Sequence, residues 1–353
     1  MAWTLEQVYE TVVKEHASDI IFAAGTPAVV WTYGIMRRLE GDRLLPADIL
    51  NLFDPAMTAE QKQKLETTGD LDFSIGKEGV GRFRINIHRQ RGSLGAAIRF
   101  IPRDVPAFTA LKLPQRVLGF SDLPFGLVLV TGGAGTGKST TLASMIDHIN
   151  HSYAYHVITM EDPIEYMFRH DKSIIEQREI GSDCPTFASA LRHVVRQKPD
   201  VILVGEMRDL ETISAALTAA ETGHLVLASL HTINAVDTVN RIVDVFPPGQ
   251  QAQVRVQLAE TLQGVVCQTL FHDELDGGMA PASEIMVVTP AMRRAIRDGE
   301  THLLQGMIET GRSMGMQTMD YSIAELVKAK RVSPAFALSR AHNPEKLGKL
   351  IAA

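Results

Sequence analysis

Apolar and polar positions follow different rhythms along this chain. Leu5, Val8, Val12 and Val13 recur at helical spacing, and "IIFAAG", "AVVWTYG" and "DLDFSI" then read as short strands broken by turn residues. "GVGRFRINIHRQRGSLGAAIRFIPRD" predicts a hairpin with Phe83, Ile85 and Ile87 on one face and Arg82, Arg84 and Asn86 on the other. Residues 1–103 are therefore expected to form a small α+β domain. Pro106, Pro114 and Pro124 punctuate 104–124, a packed linker. Beyond it the pattern alternates. Strands are expected at 127–131, 156–160, 201–205 and 224–230, and helices at 138–150, 186–197, 209–221 and 235–244. That βαβα order predicts a mostly parallel sheet covered on both faces by helices, an α/β core over 125–270. The remainder, 271–353, is expected to be mainly helical, with a hairpin turning at Asp276-Gly277-Gly278. "VRVQLAETLQGVVCQTL" carries a helical apolar period and reads as core packing.

Composition narrows the class. A chain of 353 residues with 45% hydrophobic content holds two or three domains. The 35 Lys and Arg against 41 Asp and Glu leave a formal charge of −6, which offers no general attraction to nucleic acid or an anionic membrane. Cys184 and Cys267 form no Cys-x-x-Cys pair, so neither a disulfide framework nor a zinc-thiolate site is expected. The N-terminal segment lacks signal-peptide form and no run is apolar enough to span a membrane, so a cytoplasmic protein is expected.

The chemistry concentrates in four stretches. "TGGAGTGKSTT" satisfies the phosphate-loop pattern Gly132-x-x-x-x-Gly137-Lys138-Ser139 with a strand before it and a helix after it. Gly132, Gly133, Ala134, Gly135, Thr136, Gly137, Lys138, Ser139 and Thr140 are the expected nucleotide-binding residues. Backbone N–H groups cradle the phosphates, Lys138 neutralises the β/γ oxygens and Ser139 offers its hydroxyl to Mg²⁺. "PDVILVGEMRD" is a buried strand ending in Glu206, where phosphate-loop enzymes need a carboxylate near the metal. The usual residue is Asp, and the longer Glu favours reaching Mg²⁺ through water. "HVITMEDPIEY" ends another strand at Glu161, well placed to deprotonate an attacking water. "AETGHLVLASLHT" puts His231 at the same carboxyl edge, with His224 before the strand. From spacing alone, Glu206 also reads as a helix cap, Glu161 with Asp162-Pro163 as an acidic turn, and His224 as a structural histidine.

Residues 82–103 hold six arginines: Arg82, Arg84, Arg89, Arg91, Arg99 and Arg103. Nucleic-acid binding is one use, but only Phe83 and Phe100 offer stacking faces, and no nucleic-acid partner is expected. Arginine fingers that accelerate a neighbour's hydrolysis, by roughly 10³–10⁵, are a second use; a solvated strand face is the plain alternative.

Together, and in this order, these motifs resemble the secretion ATPases of the type II secretion and type IV pilus superfamily, nearest to the type IV pilus retraction ATPases. "HVITMEDPIEY" resembles their Asp box, "PDVILVGEMRDLET" their atypical Walker B and "AETGHLVLASLHT" their His box; "GMQTMD" extends the similarity toward the C-terminus. "PAMRRAIRDGE" resembles the family's C-terminal A-I-R-N-L-I-R-E motif, keeping Ala291, Arg293, Ile296 and Arg297. The resemblance implies a RecA-like ATPase core with an N-terminal PAS-like domain. It also implies a homohexamer with nucleotide between the two domains, and ATP hydrolysis with Mg²⁺. Glu161 is implied as catalytic base, Glu206 as the Mg²⁺-water residue, His231 as a γ-phosphate or coupling residue, and Arg84 and Arg99 as nucleotide-facing arginines. An inner-membrane pilus platform protein is implied as partner, with a paralogous retraction ATPase as a further one, and docking at the membrane's cytoplasmic face. Two rival functions stand beside pilus retraction: a pilus assembly or type II secretion ATPase, and a RecA-like DNA translocase.

Overall fold

The computed structural model describes residues 3–32, 35–102, 105–341 and 343–352. Arg103, one of the six arginines, lies outside them. The chain divides into two compact units, residues 1–104 with 165–167, and 105–164 with 168–353.

The first unit runs α1 (Leu5–Glu15), β1 (Asp19–Ala23), β2 (Val29–Thr32), β3 (Ile35–Arg38), α2 (Pro46–Phe53), α3 (Ala59–Thr68), β4 (Asp70–Lys77), β5 (Gly81–Gln90) and β6 (Ser93–Pro102). Its six strands pair antiparallel in the order β3-β2-β1-β6-β5-β4. The β5–β6 hairpin follows the predicted alternation: Phe83, Ile85 and Ile87 are buried with Ile20, Phe22, Phe53 and Ile98. Helices α2 and α3 are absent from the periodicity reading. α3 buries only Leu65, so it carries little apolar signal; Thr58 and Gln61 close its start as a capping box.

The second unit begins with α4 (Gln115–Leu118), inside the proline-punctuated segment, whose Phe108, Val117 and Phe120 are buried. There follow β7 (Gly126–Thr131), α5 (Lys138–Ser152), β8 (His156–Glu161), β9 (Ile174–Glu179), α6 (Phe187–Val194), β10 (Val201–Val204), α7 (Leu210–Glu221), β11 (Leu225–Leu230), α8 (Ala235–Asp244), α9 (Pro248–Thr261), β12 (Leu262–His272) and β13 (Met279–Val287). Among the described residues the helices α10 (Pro290–Asp298), α11 (Leu304–Thr310), α12 (Met319–Lys328), α13 (Pro334–Arg340) and α14 (Pro344–Ala352) follow. The sheet order is β13-β12-β7-β11-β10-β8-β9, parallel except for the edge strand β13. Val128, Val130 and Leu203 pack under α5 and the proline segment. Leu129, Met160 and Ile202 pack on the other face with α6 to α9. With both faces covered, the strands read as continuous apolar runs.

Only the first part of "VRVQLAETLQGVVCQTL" is helical; from Leu262 the chain is β12, lying between β7 and β13. Its Val265, Val266 and Cys267 are completely buried, and a strand buried on both faces has no alternation to distinguish it from a buried helix. A boundary at 270 falls within this strand, and the sheet continues to Val287. The turn at Asp276-Gly277-Gly278 joins β12 to β13. Buried Asp273 pins it, accepting from the N–H groups of Leu275 (3.2 Å) and Asp276 (3.4 Å) and from Arg331, whose guanidinium holds the carboxyl well below the usual range. β9 is a further strand that the periodicity did not predict.

Candidate functional site

Parallel pairing brings the carboxyl ends of four strands to one edge. Thr131 pairs with Leu230, Ala228 with Val204, and Val204 with Met160, so β7, β11, β10 and β8 finish together. Ligands of such sheets bind at this edge. Backbone bonds fasten the ends: Gly205 N–H to Met160 O at 2.8 Å, Met207 N–H to Ser229 O at 3.0 Å, and Ser229 Oγ to Gly205 O at 2.6 Å. Gly205 suits this tight seam, where a Cβ would lie 3.1 Å from the Met160 carbonyl oxygen and 3.2 Å from the Glu161 Cα.

The phosphate loop leaves β7 at Gly132, with φ of +145°, where a Cβ would meet the Gln268 carbonyl oxygen at 2.3 Å. Gly133, Ala134 and Gly135 are exposed, and Thr136 Oγ1 closes the turn on Gly133 O at 3.0 Å. Gly137 caps α5 in the left-handed conformation. Lys138 is buried and folds back over the loop, donating to the carbonyls of Gly132 (2.9 Å) and Gly133 (2.7 Å). Ser139 and Thr140 follow, half-buried, in the first turn of a 15-residue helix whose N-terminal dipole favours an anion. Thr141 Oγ1 bonds Gln268 Oε1 on β12 at 2.9 Å, fastening that helix to the neighbouring strand.

Across the edge, Glu206 and His231 meet: Nε2 lies 3.0 Å from Oε1, and Arg208 also donates to that oxygen. Burial pushes the Glu206 carboxyl up, but Arg208 and the charge of His231 together pull it further down, so it is held below the usual carboxylate range. Glu161 ends β8 with Oε1 accepting from Thr159 Oγ1 at 2.7 Å and Gln177 Nε2 at 3.1 Å. The next peptide, Asp162–Pro163, is cis. His224 Nδ1 lies 2.9 Å from Ala219 O at the opposite end of β11, a local structural contact.

Arg84 and Arg99 belong to the first unit, where they are direct cross-strand partners. Both are substantially exposed, Arg84 4.0 Å from Asp72 and Arg99 2.9 Å from Asp19. Arg293, from the C-terminal motif, donates to Glu260 O (2.8 Å) and Gln263 Oε1 (3.0 Å) and also to Ala259 O, so it satisfies carbonyls at the end of α9. Arg297 pairs with Glu260 at 2.9 Å. Motif reading passed over Thr159, Gln177, Arg208 and Gln268. Only Thr159 left a signal, since the strand alternation of Thr159-x-Glu161 sets both on one face.

Among the described residues no three His, Cys, Asp or Glu side chains are grouped to hold a metal. The donors at this edge are the hydroxyls of the loop and the carboxylate oxygens of Glu161 and Glu206. That set fits a hard cation that keeps its waters and takes phosphate oxygens, as Mg²⁺ does, rather than zinc in a protein cage.

A phosphate loop at the end of an inner strand of a parallel sheet, with carboxylates after β10 and β8 at the same edge, defines a phosphate-loop ATPase with a RecA-like core. The family described as type II/IV secretion system protein matches residues 110–278. The type IV pilus retraction ATPase PilT of Pseudomonas aeruginosa is 44% identical over 332 residues, covering 94% of this chain and 96% of its own. A twitching motility protein of Neisseria gonorrhoeae is 41% identical over 335 residues, 95% of this chain and 89% of its own. The crystal structure of the pilus retraction motor PilT with bound ADP superposes with a TM-score of 0.92 at 44% identity, covering 98% of this chain and 99% of that one. The chain belongs to the type II/IV secretion ATPase family, in the group of the pilus retraction ATPases.

Proposed function

We propose that this chain hydrolyses ATP to drive type IV pilus retraction, and hence twitching motility. The observation that carries this reading is the end-to-end correspondence with an ADP-bound retraction motor, spanning both compact units as well as the phosphate loop.

In this reading the N–H groups of 132–140 and the Lys138 ammonium bind the nucleotide phosphates. Lys138 exchanges its two loop carbonyls for phosphate oxygens. Glu161 orients the attacking water and takes its proton. Ser139 directly, and Glu206 through water, hold Mg²⁺, which when bound neutralises charge developing on the phosphates. His231, already against Glu206, answers the presence of the γ-phosphate and passes it to the following helix. Arg84 and Arg99, side by side on β5 and β6, donate positive charge to the phosphates.

The working form in this proposal is a homohexamer at the cytoplasmic face of the inner membrane, turning a pilus platform protein, with a paralogous retraction ATPase as a second partner. No helix among the described residues is long and apolar enough to cross a membrane.

Imaging of pili in a deletion strain tests the function. Retraction predicts excess surface pili and lost twitching, restored by the wild-type gene. Loss of pili would instead make the protein an assembly ATPase, and salt-sensitive stimulation of the ATPase by DNA would favour a translocase.

A further inference from the structure

A glutamate has three rotatable side-chain bonds, so a base at a strand end needs something to choose its conformation. At Glu161 two donors converge on one oxygen, Thr159 Oγ1 at 2.7 Å and Gln177 Nε2 at 3.1 Å. Thr159 is fully buried on the same face of β8, two residues back. Gln177 stands opposite Thr159 in the parallel register of β8 and β9. The Gln177 amide is itself oriented. Its Oε1 accepts the Phe168 backbone N–H at 2.9 Å, so its NH₂ is the group that faces the carboxylate.

We propose that Gln177 and Thr159 are positioning residues for ATP hydrolysis, holding the Glu161 carboxylate in the orientation that receives the water proton. The proposal rests on the reading of Glu161 as base. In the step, the water oxygen bonds to the γ-phosphorus, the bond from that phosphorus to the bridging oxygen of ADP breaks, and the water proton passes to Glu161. Gln177 and Thr159 exchange no proton. Neutral donors suit the task, because a guanidinium in their place would fix the carboxylate equally well but weaken it more as a base. β9 contributes this amide from outside the three strand ends that the sequence motifs mark.

The test compares full-length Gln177→Met, Thr159→Val and Thr159→Ser with the wild type and with Glu161→Ala, by steady-state ATPase kinetics and binding of a non-hydrolysable ATP analogue. Misplacing a reacting group costs up to about 10²-fold. Gln177→Met and Thr159→Val should therefore lower kcat about 10- to 100-fold while KM and analogue affinity stay near wild type. Thr159→Ser should restore most of kcat, and Gln177→Met should have no further effect on an Glu161→Ala background. Unchanged kcat in Gln177→Met, or analogue affinity and melting temperature falling together with kcat in both shape-preserving variants, would overturn the positioning role. Wild-type turnover in Glu161→Ala would instead remove the base assignment on which the proposal rests.

Discussion

The two halves of the edge site are built on opposite principles. The phosphate loop is contiguous, and its work falls largely to backbone groups, which is why Gly133 and Ala134 can stand exposed at its tip without a side chain to contribute. The acidic edge is assembled from residues 161, 206 and 231, on three strands, and there only side chains act. A loop of the first kind tolerates substitution wherever a backbone conformation survives. An edge of the second kind depends on every neighbour that aims a carboxylate.

Predictions that break the contrast begin with the one side chain the loop cannot spare. Lys138→Ala should abolish detectable nucleotide binding in a fluorescent-ADP titration; retained affinity would mean that the backbone cradle suffices. Next comes Glu161→Ala, which should bind ATP normally and hydrolyse it about 10²–10⁴-fold more slowly, the usual range for a lost general base. Full turnover would move the base elsewhere on the edge.

A smaller effect concerns Glu206. Its folded carboxyl lies below its unfolded value, so its stabilising contribution is complete above about pH 4.3 and is lost as pH falls through the lower folded value. Arg208→Gln removes the guanidinium charge and raises that folded value, so the acid-unfolding midpoint should move to higher pH. An unmoved midpoint would show that Arg208 does not hold the carboxylate. The smallest change is expected behind the loop. Thr141→Val leaves Gln268 without its donor and should cost about 1 kcal/mol, with a melting shift of roughly 2–4 °C and little change in turnover. A large loss of turnover there would show that the loop too depends on side-chain support.

The extent to which each half could be read in advance follows from the same contrast. Gly132 to Thr140 were legible because a local backbone conformation needs a local run of glycines, and the flanking strand and helix lie in the same stretch. Glu161, Glu206 and His231 were legible as strand-end polar residues, since each follows an apolar run. Gln177 was not, because β9 carries the mixed sequence "IIEQRE" of an edge strand. β12 was misread in the other direction, its apolar residues having no polar alternation to betray a strand.

The sequence by itself determined the phosphate loop, the α/β rhythm of the core, the arginine-bearing hairpin and the candidate acids, because each depends on residues close together in the chain. Only the tertiary structure decided that β12 and β9 flank the core strands, that His231 and Arg208 share the Glu206 carboxylate, and that Gln177 and Thr159 grip Glu161. Those contacts depend on strand order and register, which are set when the sheet buries both faces, not by any one segment's pattern.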